Sequence, residues 1–358
     1  MNHHAEGVSF VIPVRNGELY LDAVIQSVFR QQDGRPIEII AVEDGSADGS
    51  QAILERYLAS GCVSIVEGPR RGAAAALNEG IHRAKHPIIC QVDQDVILKP
   101  GWMQSLAEAL QDRGVAAAQG YYETPDGTPW ARVMGLDLED RYRRLVGRDV
   151  NHVCTGNTAY RTAALRTVGL FDESLGYGYD NDLSYRLVDA GYRLVINSKA
   201  KSIHHWRDGW WTYLRQQYGF GYGRLDVVAK HHRRLTGDDV SGLPMMLHAP
   251  LMALAVGLLL IAAILWAAGG PAMIPAVLAG GILTVLSLER LIAGVRVALR
   301  FRDPAGLWFV PMHLLRDLAW VTAATIWAAR RVRGVKPHPA DSMTPRSISR
   351  GVSGRPTA

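Results

Sequence analysis

The chain has 358 residues and a formal net charge of +5, length enough for one large domain and a further unit. Its basic surplus gathers at 207–234 and 290–336, on both sides of an apolar stretch; this suits a membrane surface or an anionic ligand and not a nucleic-acid platform. Cys62, Cys90 and Cys154 are widely spaced, follow no metal-finger pattern and fit a reducing compartment.

Residues 1–7 are polar and lack a signal-peptide pattern, so the first domain is expected in the cytosol. Val8 to Val14 reads as a buried parallel strand, continuously apolar and β-branched. Arg15-Asn16-Gly17-Glu18 breaks it, and Leu19, Leu21, Val24, Ile25, Val28 and Phe29 then recur at a helical period up to Gln31. A second strand, Ile37 to Val42, runs into Glu43-Asp44-Gly45-Ser46, and a helix is predicted from Gln51 to Ala59. Val63 to Val66 is a third strand and Gly72 to Lys85 a helix. A fourth strand, Ile88 to Leu98, carries Asp93 and Asp95 in its middle.

Alternation on a strand turns residues i and i+2 to one side, so these two carboxylates should converge. Like charges held close repel; the usual remedy is a divalent cation with oxygen ligands, often completed by a substrate diphosphate. The alternative is a pair of aspartates that open the turn at Lys99-Pro100-Gly101 and cap the next helix. Strands alternating with helices predict an open, mostly parallel α/β sheet flanked by helices. Ligands of such sheets sit at the carboxyl ends of the strands. Here those ends are polar and partly acidic, which predicts a nucleotide site, yet no glycine-rich phosphate turn follows the first strand.

Four linked segments, Val11-Ile12-Pro13-Val14-Arg15-Asn16, Val42 to Gly49, Gly72 with Ala76 to Gly80, and Asp93-Gln94-Asp95, resemble the family 2 glycosyltransferases of the GT-A fold in order and spacing. The resemblance implies a UDP- or GDP-sugar site formed by Pro13, Arg15, Asn16, Glu43, Asp44, Arg71, Asn78, Asp93 and Gln94. Within it Asp44 would read the base, Asp93 would lie near the ribose or metal, and Asp95 would bind the Mg2+ or Mn2+ that holds the diphosphate. Glu43 departs from the family, which more often has Asp there.

Trp102 to Arg113 is predicted helical, Val115 to Tyr122 a strand, and Trp130 to Val146 a helix. Arg132, Arg141, Arg143 and Arg144 on that last helix form either a solvated face or contacts to an anionic acceptor. Cys154 to Arg161 and Val168 to Glu173 resemble the family's acceptor-side segment, and Tyr177 to Leu187 resembles the start of its catalytic helix. The implied acceptor-side residues are Gly156, Asn157, Tyr179 and Asp182, with Gln217 and Arg224 further along. The family generally has Glu-Asp at the place of Tyr179-Asp180; the Asp is kept and the Glu is lost. Inverting transfer needs a base opposite the leaving diphosphate, and Asp180 is the candidate. Asp182 is expected to cap the helix or orient Asp180, the alternative being that both only cap. After a strand at Tyr192 to Asn197, His204 falls where the family often supplies another metal ligand; the adjacent His205 competes for that role.

Aromatic and basic residues mix over 207–234, as in a helix lying at a bilayer interface. Gln216 to Arg224 also resembles a segment of membrane-bound, succinoglycan-type family members. No charge occurs from Ala249 to Leu288, about twice the ~20 residues that cross ~30 Å of hydrocarbon, and Gly269-Gly270-Pro271 supplies the turn. Arg290, Arg296, Arg300 and Arg302 then obey the positive-inside rule. Ala305 to Ala329 is interrupted by Arg316 and Asp317, which predicts an interfacial or re-entrant hairpin of two half-helices; a single crossing with both charges facing a protein groove is the rival. Residues 336–358 should be disordered.

These readings predict a cytosolic GT-A domain at 1–205, interface helices at 206–245 and a membrane domain at 246–335, in a multi-pass protein of the cytoplasmic (inner) membrane. The expected activity is inverting transfer of a sugar to a hydroxyl of a lipid-linked glycan or glycolipid. A polyprenyl phosphate acceptor is the alternative, and a non-catalytic scaffold of polysaccharide export is the rival from another class.

Overall fold

A computed structural model describes residues 6–31, 33–206 and 208–334. Strand β1 (Val8–Val14) is apolar on both faces, and α1 (Leu21–Phe29) packs on it with Leu21, Val24, Ile25 and Val28. Next come β2 (Ile37–Glu43), α2 (Ser50–Glu55), β3 (Val63–Glu67), α3 (Ala73–Arg83) and β4 (Ile88–Val92), the strand–helix alternation that the apolar runs predict. Then follow β5 (Val96–Leu98), α4 (Trp102–Ala109), β6 (Val115–Glu123), α5 (Pro129–Arg143) and β7 (Asp149–Val150). The α/β part closes with β8 (Asn157–Arg161), α6 (Thr162–Val168), α7 (Tyr179–Asp189) and β9 (Arg193–His204). The sheet runs β3-β2-β1-β4-β8-β6-β9-β5, with β7 beside β9. Its first four strands are parallel; β8 is antiparallel to β4 and β6, and β6 is parallel to β9.

The run 88–98 is not one strand. β4 ends at Val92 in the middle of the sheet, whereas β5 pairs with β9 at its edge, so Asp93-Gln94-Asp95 is the turn between them. Strand alternation is therefore not what brings the two carboxylates together; the turn is, closed by Val96 N–H donating to Asp93 O at 3.1 Å. β9 also outruns its predicted end at Asn197. A bulge opposite Gly120 and Tyr121 absorbs residues 198–200, and the strand resumes to set His204 opposite Val96.

Beyond the sheet lie α8 (Trp210–Lys230), α9 (Leu243–Ala267), α10 (Met273–Phe301) and α11 (Phe309–Val332). Trp210, Trp211 and Phe220 stand exposed on α8, while Tyr213, Gln217 and Val227 are buried, so the helix is two-faced as expected. A Cβ at Gly219 or Gly223 would lie 2.4 Å from Tyr177, so only glycine lets α8 approach the loop before α7 this closely. α9 and α10 are long and apolar enough to cross a membrane.

The predicted hairpin at 305–329 does not form. A 3-10 turn at Pro304–Trp308 leads into α11, which is unbroken through Arg316 and Asp317. No break is needed, because the charges are sheltered: Arg316 Nη2 donates to Asp317 Oδ1 at 3.0 Å, and Asp317 Oδ2 lies 3.0 Å from His248 Nδ1 on α9. This is the protein-facing arrangement of the rival. Two of the α5 arginines meet neither expectation: Arg132 pairs with Asp126 and Asp303, and Arg141 with Asp137, both largely covered. Arg143 and Arg144 are exposed, as on a solvated face, Arg144 pairing with Asp140 one turn away. Together with the apolar cluster of Val133, Leu136, Tyr213, Val297, Phe309 and Met312, the Arg132–Asp303 pair fastens the helical part to the α/β part.

Candidate functional site

The carboxyl ends of β1, β2 and β4 lie side by side, and the loops leaving them are tied together. Gln94 binds Arg15 in both directions, its Oε1 accepting from Arg15 N at 2.7 Å and its Nε2 donating to Arg15 O at 2.9 Å. Asn16, in the left-handed region with φ 53°, accepts at Oδ1 from Ala47 N at 2.7 Å and so joins the first loop to the second. Pro13 is half-buried on β1, one residue before the strand ends. Asp44 is buried and accepts from Arg70 N at 2.5 Å, which draws the loop after β3 to the same end. Arg71, two-thirds exposed, pairs with Glu173 at 3.0 Å.

Asp93 accepts from Gln91 Nε2 at 2.8 Å, and Gln91 Oε1 in turn accepts from Gly156 N. Burial first, then the Asp95 charge beside it, pushes the Asp93 carboxyl up to about 6. Asp180 is also near enough for its charge to act on Asp93. Gly156 has φ +91°, and a Cβ there would lie 2.3 Å from Asp93 Oδ2. Replacing Gly156 by Ala should therefore move Asp93 and lower turnover by about 10²-fold, the typical consequence of a 1 Å misplacement. Steady-state rates checked against a thermal unfolding curve would test this; unchanged turnover would contradict it.

Asp95 Oδ1 faces His204 Nε2 at 3.2 Å. His204 Nδ1 is buried and makes no hydrogen bond among the described residues. His205 instead stacks on Tyr20, ring centroids 4.0 Å apart, so the competition between the two histidines favours His204 on geometry. Asp95 and His204 present hard oxygen and imidazole donors to one point, a set that suits Mg2+ or Mn2+. No group of three or more such side chains is arranged for a metal among the described residues. A cation held here would thus complete its coordination with substrate diphosphate and water.

Asp180 opens α7 after Gly178, itself in the left-handed conformation. Its Oδ1 accepts from Asn181 N at 2.9 Å, and its Oδ2 lies 3.6 Å from His152 Nε2. Tyr179 packs edge-on against Phe171; burial raises its phenol well above the ordinary value, with the charges of Asp93 and Asp180 adding to the effect.

Several expected site residues face elsewhere. Asp182 does not orient Asp180: two positions apart on a helix lie about 200° round the axis. Its carboxylate is fully buried on the opposite face, held by Arg186, Lys230 and His231 at 2.9, 2.6 and 2.8 Å. Asn157 points beneath the sheet, accepting from Trp102 Nε1 at 2.6 Å, and is buried away from any acceptor. Asn78 gives its amide to Phe171 and Glu173, so it anchors the loop before α7. Glu43 accepts from Gly45 N and Ser46 N and shapes its own loop. Gln217 is buried in α8, and Arg224 is buried against Asp238 at 2.7 Å.

Two residues escaped the sequence reading. Gln91 had a signal, a polar residue inside an apolar strand, where burial demands a partner. His152 had none, since its neighbour Asp180 comes from another element.

A mixed sheet with acidic loops at the carboxyl ends of its parallel strands is the GT-A architecture of nucleotide-diphospho-sugar transferases. Residues 9–169 match the model for Glycosyl transferase family 2. The chain is 28% identical over 246 residues to the pre-mycofactocin glycosyltransferase of Mycobacterium tuberculosis, covering 66% of this chain and 50% of that protein. The chain thus spans about half the length of this curated relative. Over 329 residues it is 26% identical to the succinoglycan biosynthesis protein ExoA of Rhizobium meliloti, covering 88% of this chain and 93% of that one. Among solved structures, a mannosyltransferase from Pyrobaculum calidifontis in complex with GDP-Man and Mn2+ superposes with a TM-score of 0.58 at 17% identity, over 90% of this chain and 86% of that one.

Proposed function

We propose that the protein is a membrane-anchored inverting glycosyltransferase. It takes a sugar from a UDP- or GDP-sugar and passes it to a hydroxyl of a lipid-linked glycan or glycolipid during cell-surface polysaccharide or glycolipid synthesis. The observation that carries this reading is the meeting of Asp93, Asp95 and His204 beside Asp180, at the strand ends where the loops of β1 and β2 converge. Asp44, Arg15 and Arg71 lie on those loops and the one after β3, within the nucleotide's reach. Asp95 and His204 hold Mg2+ or Mn2+, which when bound offsets the charge of the departing diphosphate. Asp180 takes the acceptor's proton as the hydroxyl oxygen attacks the anomeric carbon. The M. tuberculosis relative is a glycosyltransferase and the R. meliloti relative a succinoglycan biosynthesis protein, which supports glycosyl transfer in polysaccharide synthesis.

The membrane part of the reading rests on α9 and α10 and on the exposed tryptophans of α8. The α/β domain (1–205) faces the cytosol, 206–245 forms the interface and 246–335 the membrane domain, in a multi-pass protein of the inner membrane. An acceptor anchored in the same plane meets the site at high effective concentration. Membranes offered a panel of radiolabelled nucleotide sugars with Mn2+ should yield a labelled lipid, resolved by thin-layer chromatography. A chain that neither transfers nor hydrolyses any donor would be a scaffold instead.

A further inference from the structure

His152 sits on the short segment between β7 and β8, buried, and neither ring nitrogen makes a hydrogen bond among the described residues. Such an orphaned buried pair of polar atoms is costly unless the group has work to do. Its Nε2 lies 3.6 Å from Asp180 Oδ2, a separation that a small adjustment would turn into a hydrogen bond. The surroundings are charged. Asp238, from the loop after α8, and Arg224, from α8, both act on the ring, and the two are themselves paired at 2.7 Å, with Tyr185 Oη donating to Asp238 at 2.8 Å. The segment is also pinned from two sides: Val153 N donates to Ser184 Oγ at 3.1 Å, and Asn151 N donates to Asp239 at 2.7 Å. The imidazole therefore stands in a fixed place behind Asp180.

We propose that His152 is a positioning residue that stores the proton Asp180 removes from the acceptor, so that the two side chains act as one base. The inference rests on the assignment of Asp180 as the base of glycosyl transfer. In the form that can take up the proton His152 is neutral, its hydrogen on Nδ1 and its Nε2 free toward Asp180 Oδ2. As the acceptor oxygen bonds to the anomeric carbon and the bond to the diphosphate breaks, the hydroxyl proton passes to Asp180 Oδ2. From there it moves to His152 Nε2, leaving an imidazolium beside a carboxylate. After the product leaves, the proton returns through the partly exposed Asp180 to water. A lone carboxylate is a weak acceptor at neutral pH, and a base works best with a pKa near the operating pH. Burial disfavours the imidazolium, but Asp180 and Asp238 outweigh burial and the Arg224 charge and hold His152 above its ordinary value.

The sign follows. Protonating His152 beforehand fills the store, so activity should rise with pH through the His152 pKa. Hydrolysis of GDP-mannose or UDP-glucose with Mn2+, followed from pH 5 to 9 in the full chain, reads this acid limb. His152→Gln should shift the limb down by about one unit or more, toward the carboxylate range, and lower the neutral-pH rate about tenfold or more, with donor KM unchanged. A purely structural His152 would lower the rate at every pH and leave the limb in place, which would overturn the proposal. Histidine 13Cε1–1H titration of the unaltered chain and of Asp180→Asn gives a second reading that needs neither turnover nor a folded His152 variant. One resonance should titrate above about 6.5 and move down in Asp180→Asn. If no histidine responds to Asp180→Asn, the shared proton is refuted. If the unaltered chain turns over no nucleotide sugar, the glycosyl-transfer reading falls, while the titration still decides whether the two side chains are coupled.

Discussion

Replacing Asp180 by Asn should cut transfer to a hydroxyl acceptor by about 10²–10⁴-fold, the usual range for a positioned general base. The exchange is nearly isosteric, and Asn181 N can still donate to the remaining Oδ1, so the start of α7 should keep its shape. Donor binding should be unchanged if the proposed role of Asp180 toward the acceptor's proton is its whole contribution. The informative comparison is between acceptors. A hydroxyl must lose a proton as it attacks; a polyprenyl phosphate is already an anion and needs no base. Asp180→Asn activity measured with each acceptor class thus separates the two readings of the substrate. A drop of less than about tenfold with a hydroxyl acceptor would remove Asp180 from the base role. A large drop confined to KM for the acceptor would instead make it a binding residue.

The parallel half of the sheet was legible because its signals are local. The apolar runs of β1, β2 and β4 and the helical periods between them predict both the elements and the strand ends that carry the site. What stayed hidden depends on pairing between distant segments. Nothing in Val96-Ile97-Leu98 says that it leaves β4 to join β9, so strand alternation is the wrong cause for an Asp93–Asp95 convergence that the turn produces. Position in the first turn of α7 suggests that Asp182 orients its near neighbour Asp180, yet an offset of two on a helix turns the two side chains to opposite faces. The charges inside α11 pointed to a break because their partner, His248, sits on α9 and cannot be found by reading along α11. Arg132 likewise met Asp303 across much of the chain. Asn78, Asn157 and Glu43 occupy the family's motif positions yet bind their own fold, so a motif match locates a loop better than it locates a contact. His152 is the converse case, a residue without any motif whose position comes only from the fold.

Removal of the Asp95 carboxylate should be the other large loss. Asp95→Ala takes away the oxygen that faces His204 Nε2 at 3.2 Å and leaves the imidazole as the remaining donor at that point. A divalent cation at a departing phosphoryl group is worth several kcal/mol, so turnover should fall on the order of 10³-fold. His204→Ala should lose less, since the carboxylate carries the charge and the diphosphate oxygens can take over part of the coordination. The readout that separates metal loss from collapse of the fold is calorimetric. Titrating GDP or UDP into the unaltered chain should give binding that strengthens with Mn2+, and Asp95→Ala should bind equally weakly with and without Mn2+ while unfolding at a similar temperature. Raising Mn2+ should rescue His204→Ala in part and Asp95→Ala hardly at all. If Asp95→Ala kept a full Mn2+ response, the cation would have to be held elsewhere, and the turn between β4 and β5 would be left with a structural role.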